Sequence, residues 1–175
     1  MFDPTVFDNL KIAFENELYD LDNLNQYILV SDRKDTVELS VMGREFKLKF
    51  HLVKQPNISA EVRLHASLNN LAAEILEQEG ANPGCSLSIY FYLTVMDEQT
   101  ACSQIEKILR EIWDPAVTLQ QTLSYTYGTQ TAGWSNVVEL NFIRQINEEQ
   151  MGDISELVQY MLESLEKLDA NTINL

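Results

Sequence analysis

Cys85-Ser86-Leu87-Ser88-Ile89-Tyr90-Phe91-Tyr92-Leu93-Thr94-Val95 opens the stretch that decides the fold, which continues to Leu168. Its odd positions are apolar and its even positions are Ser, Tyr or Thr, the period-two pattern of a strand with one oily and one polar face. Asp97 stands as an N-cap to a segment in which Ala101, Ile105, Ile108, Leu109 and Ile112 recur at helical spacing, ending at Trp113 before Asp114-Pro115. Val117, Leu119, Leu123, Tyr125 and Tyr127 then alternate with Thr118, Gln120, Thr122, Ser124 and Thr126. Val138, Leu140 and Phe142 repeat the pattern beyond the Gly128 to Gly133 loop, which predicts a hairpin. Ile154, Leu157, Val158, Met161, Leu162, Leu165 and Leu168 form one helical stripe opposite Glu156, Gln159, Glu163 and Glu166. The second half of the chain therefore reads β-α-β-β-α.

One-faced strands point to an antiparallel sheet, because a parallel sheet is covered on both sides and its strands read as unbroken apolar runs. Both helices are expected on the apolar side. The other side is then Ser, Thr, Gln and Tyr with few charges, an unusual composition for a surface that meets only water, and it is the candidate contact surface. The last helix could dock a partner with its stripe, but a helix so amphipathic ordinarily packs on its own sheet.

The first half contains related parts. Asp3-Pro4 precedes Val6, Phe7, Leu10, Phe14, Leu18 and Leu21, a helical stripe with Pro4 near the first turn. Tyr27 to Val30 is a short apolar run, Ser31 to Asp35 is predicted to be a turn, and Val37, Leu39 and Val41 resume an alternation. Phe46, Leu48, Phe50 and Leu52 form a further strand, and Ile58, Ala60, Val62 and Leu64 another beyond a turn expected at Pro56-Asn57. Ser67 could cap a helix carrying Leu68, Leu71, Ala72, Ile75 and Leu76, ending before Gly80 and the Asn82-Pro83-Gly84 turn. Residues 80–84 are the one candidate pseudo-repeat boundary. Pieces on either side would be small for independent stability, so a single α+β domain over 1–175 is expected. No residue-level repeat joins the halves.

Hydrophobic residues make up 45% of the chain, and no apolar run reaches the length that spans a bilayer. The Met1-Phe2-Asp3-Pro4 start has neither a positive region nor an apolar core, so no secretory signal is expected and the default compartment is a reducing cytoplasm. Two thiols in so long a chain make no disulfide framework. Cys85 and Cys102 read as free, buried, small apolar residues. With 27 acids against 12 bases the net charge is -15, which repels phosphate backbones and disfavours nucleic acid as a partner. The excess gathers at the two ends. Asp3, Asp8, Glu15, Glu17, Asp20 and Asp22 face only Lys11, and Glu148, Glu149, Asp153, Glu156, Glu163, Glu166 and Asp169 face only Lys167. Such faces serve solubility, or dock a basic partner.

His51 and His65 are the only histidines, and both fall on the polar phase of neighbouring strands. A hairpin there would set Lys49 near Glu61 and His65 near Glu45, as exposed cross-strand pairs and not as catalytic groups. No second nitrogen ligand stands at a fixed spacing, so no metal site is nominated, and no cofactor is implied. The acids offer no pair that the pattern places in an apolar pocket. The chain lacks a G-x-S-x-G elbow, a P-loop, a dinucleotide G-x-G-x-x-G, C-x-x-C and H-E-x-x-H. The Gly128 to Trp134 loop joins strands and does not open a helix, so it reads as a hairpin tip and not a phosphate cradle. Trp134 could anchor a partner there, or close the edge of the core.

In plan, size and acidity the chain resembles small α+β binding proteins of the secretion-chaperone type, a likeness that no motif carries. The expectation is an α+β fold with an antiparallel sheet and helices mainly on one face. It would act as a non-enzymatic protein-interaction or chaperone-like domain, as a homodimer, with Tyr90, Tyr92, Gln120 and Trp134 as partner-binding residues. The rival reading is a small-molecule-binding domain or enzyme with a dispersed site near His51 or His65. A third is an acidic mimic that occupies a nucleic-acid-binding protein, which predicts acids arrayed in a stripe on one surface and not terminal helices far apart with their acids facing in different directions.

Overall fold

In the computed structural model, which describes residues 5–129 and 133–172, ten elements follow the chain. They are α1 (Val6–Asn23), β1 (Ile28–Glu38), β2 (Gly43–Leu52), β3 (Gln55–Ala66), α2 (Leu68–Ile75), β4 (Ser86–Val95), α3 (Glu98–Trp113), β5 (Val117–Ser124), β6 (Trp134–Phe142) and α4 (Ile154–Thr172). A 3-10 turn at Glu148–Asp153 leads into α4. The expectations attached to Asp3-Pro4 and to Gln130–Ala132 lie outside the described residues.

Local chemistry sets the helix starts. Thr5 Oγ1 accepts from the Asp8 N–H at 3.2 Å while the Asp8 carboxylate accepts from the Thr5 N–H at 3.3 Å, a reciprocal cap on α1. Ser67 caps α2 through the Asn70 N–H, and Asp97 caps α3 through the Gln99 N–H.

The six strands form one antiparallel sheet in the order β1-β2-β3-β4-β6-β5. The 80–84 turn does not interrupt it, because β3 and β4 pair across that turn with Glu61 opposite Tyr90 and Val62 opposite Ile89. Helices α1, α4 and α3 cover one face. α4 crosses β2 and β3, with α1 beside it over β1 and α3 on its other flank over β4 and β5. Between the layers lie Phe7, Leu10, Phe14 and Leu18 of α1, Leu109 and Trp113 of α3, and Val158, Met161 and Leu165 of α4. They pack on Phe46, Leu48, Phe50, Val62, Leu64, Ile89, Phe91, Val138 and Leu140. The α+β architecture and one-sided helix layer match the pattern of the later strands.

Three local expectations are corrected. Ser31 to Asp35 is not a turn but the middle of an 11-residue edge strand, with a bulge between Val30 and Asp32. Its charges are held by tertiary contacts that a local reading does not contain. Arg33 reaches Glu15 of α1 at 2.6 Å, and Asp35 accepts from Lys11 at 2.8 Å and from Arg44 at 3.4 Å. The β2–β3 connection falls at Val53-Lys54, with Pro56 inside the opening of β3, where a bulge after His51 absorbs the ring's missing donor. β5 stops at Ser124, and Tyr125 and Tyr127 project from the loop at 67% and 93% exposure instead of joining the core.

Candidate functional site

The uncovered face of the sheet divides at the β3/β4 seam. On β1, β2 and β3 it presents ions, with Asp32 opposite Lys49, Lys34 opposite Lys47, and Lys49 opposite Glu61. On β4, β6 and β5 it presents hydroxyls, amides and phenols, with Glu139 the one charged side chain in those strands. Tyr90 and Tyr92, two apart on β4, point outward along the seam.

There the rings form a braced platform. Tyr90 and Tyr92 stack with centroids 6.4 Å apart and planes 19° from parallel. The Arg63 guanidinium lies 3.7 Å over the Tyr90 ring and the Lys49 ammonium 3.8 Å over Tyr92, where the negative ring face attracts a cation. Both phenols are tied down. Tyr90 Oη donates to Glu139 at 2.8 Å, while Tyr92 Oη donates to Glu61 at 3.1 Å and accepts from Arg63 at 2.9 Å. Arg63 also donates through Nε to the buried carboxylate of Glu61. Asn141 donates to Glu139 at 2.9 Å and accepts from Ser88 at 2.6 Å, which carries the network onto β6.

Burial, then the hydrogen bond to Glu139, pushes the Tyr90 phenol up to about 12, and burial with the nearby Glu61 raises Tyr92. Burial works to lower Arg63, but its bond to Glu61 together with the charge of Glu61 and the nearby Tyr92 and Tyr90 outweighs that and raises it. Both phenols are therefore neutral near neutral pH. They offer a flat, amphipathic surface whose side chains have already lost their rotamer freedom, so a bound chain would not have to order them.

Of the four sequence-derived candidates, Tyr90, Tyr92 and Gln120 share this outer face, the last on the exposed side of β5. Trp134 does not. It lies opposite Val95 on the helix side of β6, half-buried, and packs edge-on against Tyr125 with centroids 5.3 Å apart. It closes the end of the core. Sequence reasoning placed Lys49 near Glu61 but missed Arg63 as the cover of Tyr90. Helix α2 and its flanking loops separate β3 from β4, and only the long-range β3–β4 register puts Arg63 opposite Ser88, one step from Tyr90.

The histidines lie on the same outer phase, away from the helices. His65 is exposed opposite Glu45, and His51 is half-buried with Nδ1 3.1 Å from the Leu52 carbonyl oxygen. The broad grooves at Leu21/Tyr27/Glu166 and at Ser124/Tyr125/Trp134 include neither histidine. Among the described residues no three His, Cys, Asp or Glu side chains converge as a metal site, and no helix is long and apolar enough to cross a membrane. Cys85 and Cys102 are unpaired. Burial pushes the Cys85 thiol up to about 12, and Cys102, half-buried in α3, is raised by burial too.

Charge is segregated between the layers. The strands hold six acids and six bases, whereas the helical segments hold sixteen acids and four bases. The acidic terminal helices lie side by side, linked by Asn9 to Glu148, Tyr27 to Glu166, and Ser155 to Glu17 at 3.3 Å. A second feature absent from the sequence reading is a set of exposed apolar side chains at one end of the sheet. Leu39, Val41 and Met42 form the β1–β2 tip at 50–77% exposure, and Ile75 and Leu76 project from the end of α2 at 70% and 76%. No family model matches the chain, and searches of curated proteins and of solved structures return no match.

Proposed function

We propose that this is a non-enzymatic interaction protein, chaperone-like in plan and acting as a homodimer, that binds a polypeptide on the open face of its sheet at the Tyr90/Tyr92 platform. The observation that supports it most is the braced ring pair itself. Six strands carry helices on one face only, and at the centre of the bare face two phenols are locked by Arg63, Lys49, Glu61 and Glu139. Tyr and Arg are the residue types that dominate protein interfaces, because they bury much area at little entropic cost. The acid-rich helix layer on the back would discourage nonspecific association. A reducing, cytoplasmic setting belongs to the same proposal and suits two unpaired thiols.

The test is site-specific photocrosslinking in cells of origin. A benzophenone side chain at Ser88 on the outer face should trap a discrete protein product, and Tyr90→Ser/Tyr92→Ser should abolish it. The same probe at Glu111 on α3 should trap none. Crosslinks only from the helix side would sink the reading.

A second reading has one observation in its favour. α1 and α4 abut, with Ser155 of α4 reaching Glu17 of α1, and a mimic of a nucleic-acid backbone would need its acidic helices adjacent in this way. Crosslinks from the same probe at Asp20 on α1 to a basic nucleic-acid-binding protein, with none from Ser88, would support that reading instead.

A further inference from the structure

The two edges of the sheet are not alike. β1 carries Asp32, Arg33, Lys34 and Asp35, is bent by its bulge, and is tied to α1, the devices that keep an edge strand from pairing with another chain. β5, at the opposite edge, reads Val-Thr-Leu-Gln-Gln-Thr-Leu-Ser, with no charge, no proline and no shift in register against β6. Among the described residues it has a strand on one side only. Its other side is therefore a row of backbone donors and acceptors, and Leu119 and Leu123 on its helix-facing side are only half-buried. What fits such an edge is extended main chain.

We propose that β5 pairs antiparallel with β5 of a second copy, across a two-fold axis perpendicular to the sheet, to make one continuous sheet twice as wide. This gives a geometry to the homodimer named above and rests on that reading in that respect alone.

Three features select a second copy over a foreign strand. The strand is self-complementary. With the axis at Gln121, Leu119 of one copy faces Leu123 of the other on the helix side, while Gln120 faces Thr122 and Thr118 faces Ser124 on the outer side, so apolar meets apolar and amide meets hydroxyl. Charge favours this edge as well. Two copies of net charge -15 repel, but the acid-rich α1 and α4 lie over β1, β2 and β3, at the far side from β5, so repulsion between copies is least here. There is also room. α3 stands over β6, where Asn136 reaches Cys102 and Phe142 meets Trp113, one strand in from the edge. In the paired sheet the two α3 helices would be three strand spacings apart, roughly 14 Å, wider than the roughly 8–10 Å of packed helices.

Size-exclusion chromatography with light scattering on the full chain tests this. The wild type should elute at twice the 20.1 kDa chain mass. Gln120→Lys/Thr122→Lys sets introduced lysines against each other twice across the axis, and should halve the mass. Gln120→Lys/Thr122→Glu opposes unlike charges at the same exposed positions and should restore the dimer, which excludes misfolding as the cause of the loss. Tyr90→Ser/Tyr92→Ser should leave the mass doubled, so failure of the docking platform and failure of the dimer are read separately. A wild-type monomer, whether or not it captures an extended peptide, overturns the proposal, as does a dimer that the paired lysines leave intact.

Discussion

Glu61 shows how much one side chain depends on its neighbours in this sheet. It is 5% exposed on the outer face, where it accepts hydrogen bonds from Arg63 and from the Tyr92 hydroxyl. Arg63→Ala removes both the partner of that buried carboxylate and the cation over Tyr90. It should cost about 2–3 kcal/mol, since hydrogen bonds to charged groups are worth about 1.5–3 kcal/mol and the orphaned acid adds a desolvation cost. In a chain of this size that lowers Tm by roughly 4–12 °C. Adding Glu61→Gln should recover part of the loss by removing the unpaired charge. A single variant that melts with the wild type would show that the platform is not braced as described. The outward phase of Glu61, Tyr90 and Tyr92 is legible from alternation alone, but their mutual contacts are not, because period-two patterning assigns a face and not a neighbour.

At the level of elements, the helix layer is joined by a contact buried between α3 and α4. Trp113 Nε1 donates to Ser164 Oγ at 2.9 Å, and that hydroxyl in turn donates to the Tyr160 carbonyl oxygen at 2.7 Å. Tyr160 and Phe142 meet the indole edge-on at 5.8 and 6.0 Å. Ser164→Ala leaves a buried indole N–H without a partner and should cost about 1–3 kcal/mol in urea unfolding, with the transition still cooperative. No measurable loss would mean that water reaches the indole. The stripes of α3 and α4 were readable because helical spacing is a local property. The Ser31 to Asp35 segment misled for the converse reason. Its polar run resembles a turn until Glu15 and Lys11 of α1, together with Arg44 of β2, are brought to it by the fold. Trp134 likewise sits at a strand start as expected, but the β4–β6 register turns it toward the core end and away from the Tyr90 face.

Over the whole molecule, the uneven charge is the property with the widest reach. Strands that balance their ions lie under helices with sixteen acids against four bases, so the folded state concentrates repulsion on one side. Salt should relieve it. Raising ionic strength shortens the screening length from about 30 Å at 0.01 M to about 3 Å at 1 M, and Tm should climb by several degrees over roughly that range in sodium chloride. A Tm that falls with salt would assign the ion pairs a greater role than the repulsion. By itself the sequence determined the strand and helix phases of the second half, the helix caps at Ser67 and Asp97, the acidity of both ends and the lack of any short catalytic motif, because each is written in residues close along the chain. Only the tertiary structure decided that Arg63 covers Tyr90, that α1 and α4 lie side by side, and that the uncharged β5 is left at an edge. Those facts depend on which distant segments pair, and hydrophobic periodicity is blind to the partner.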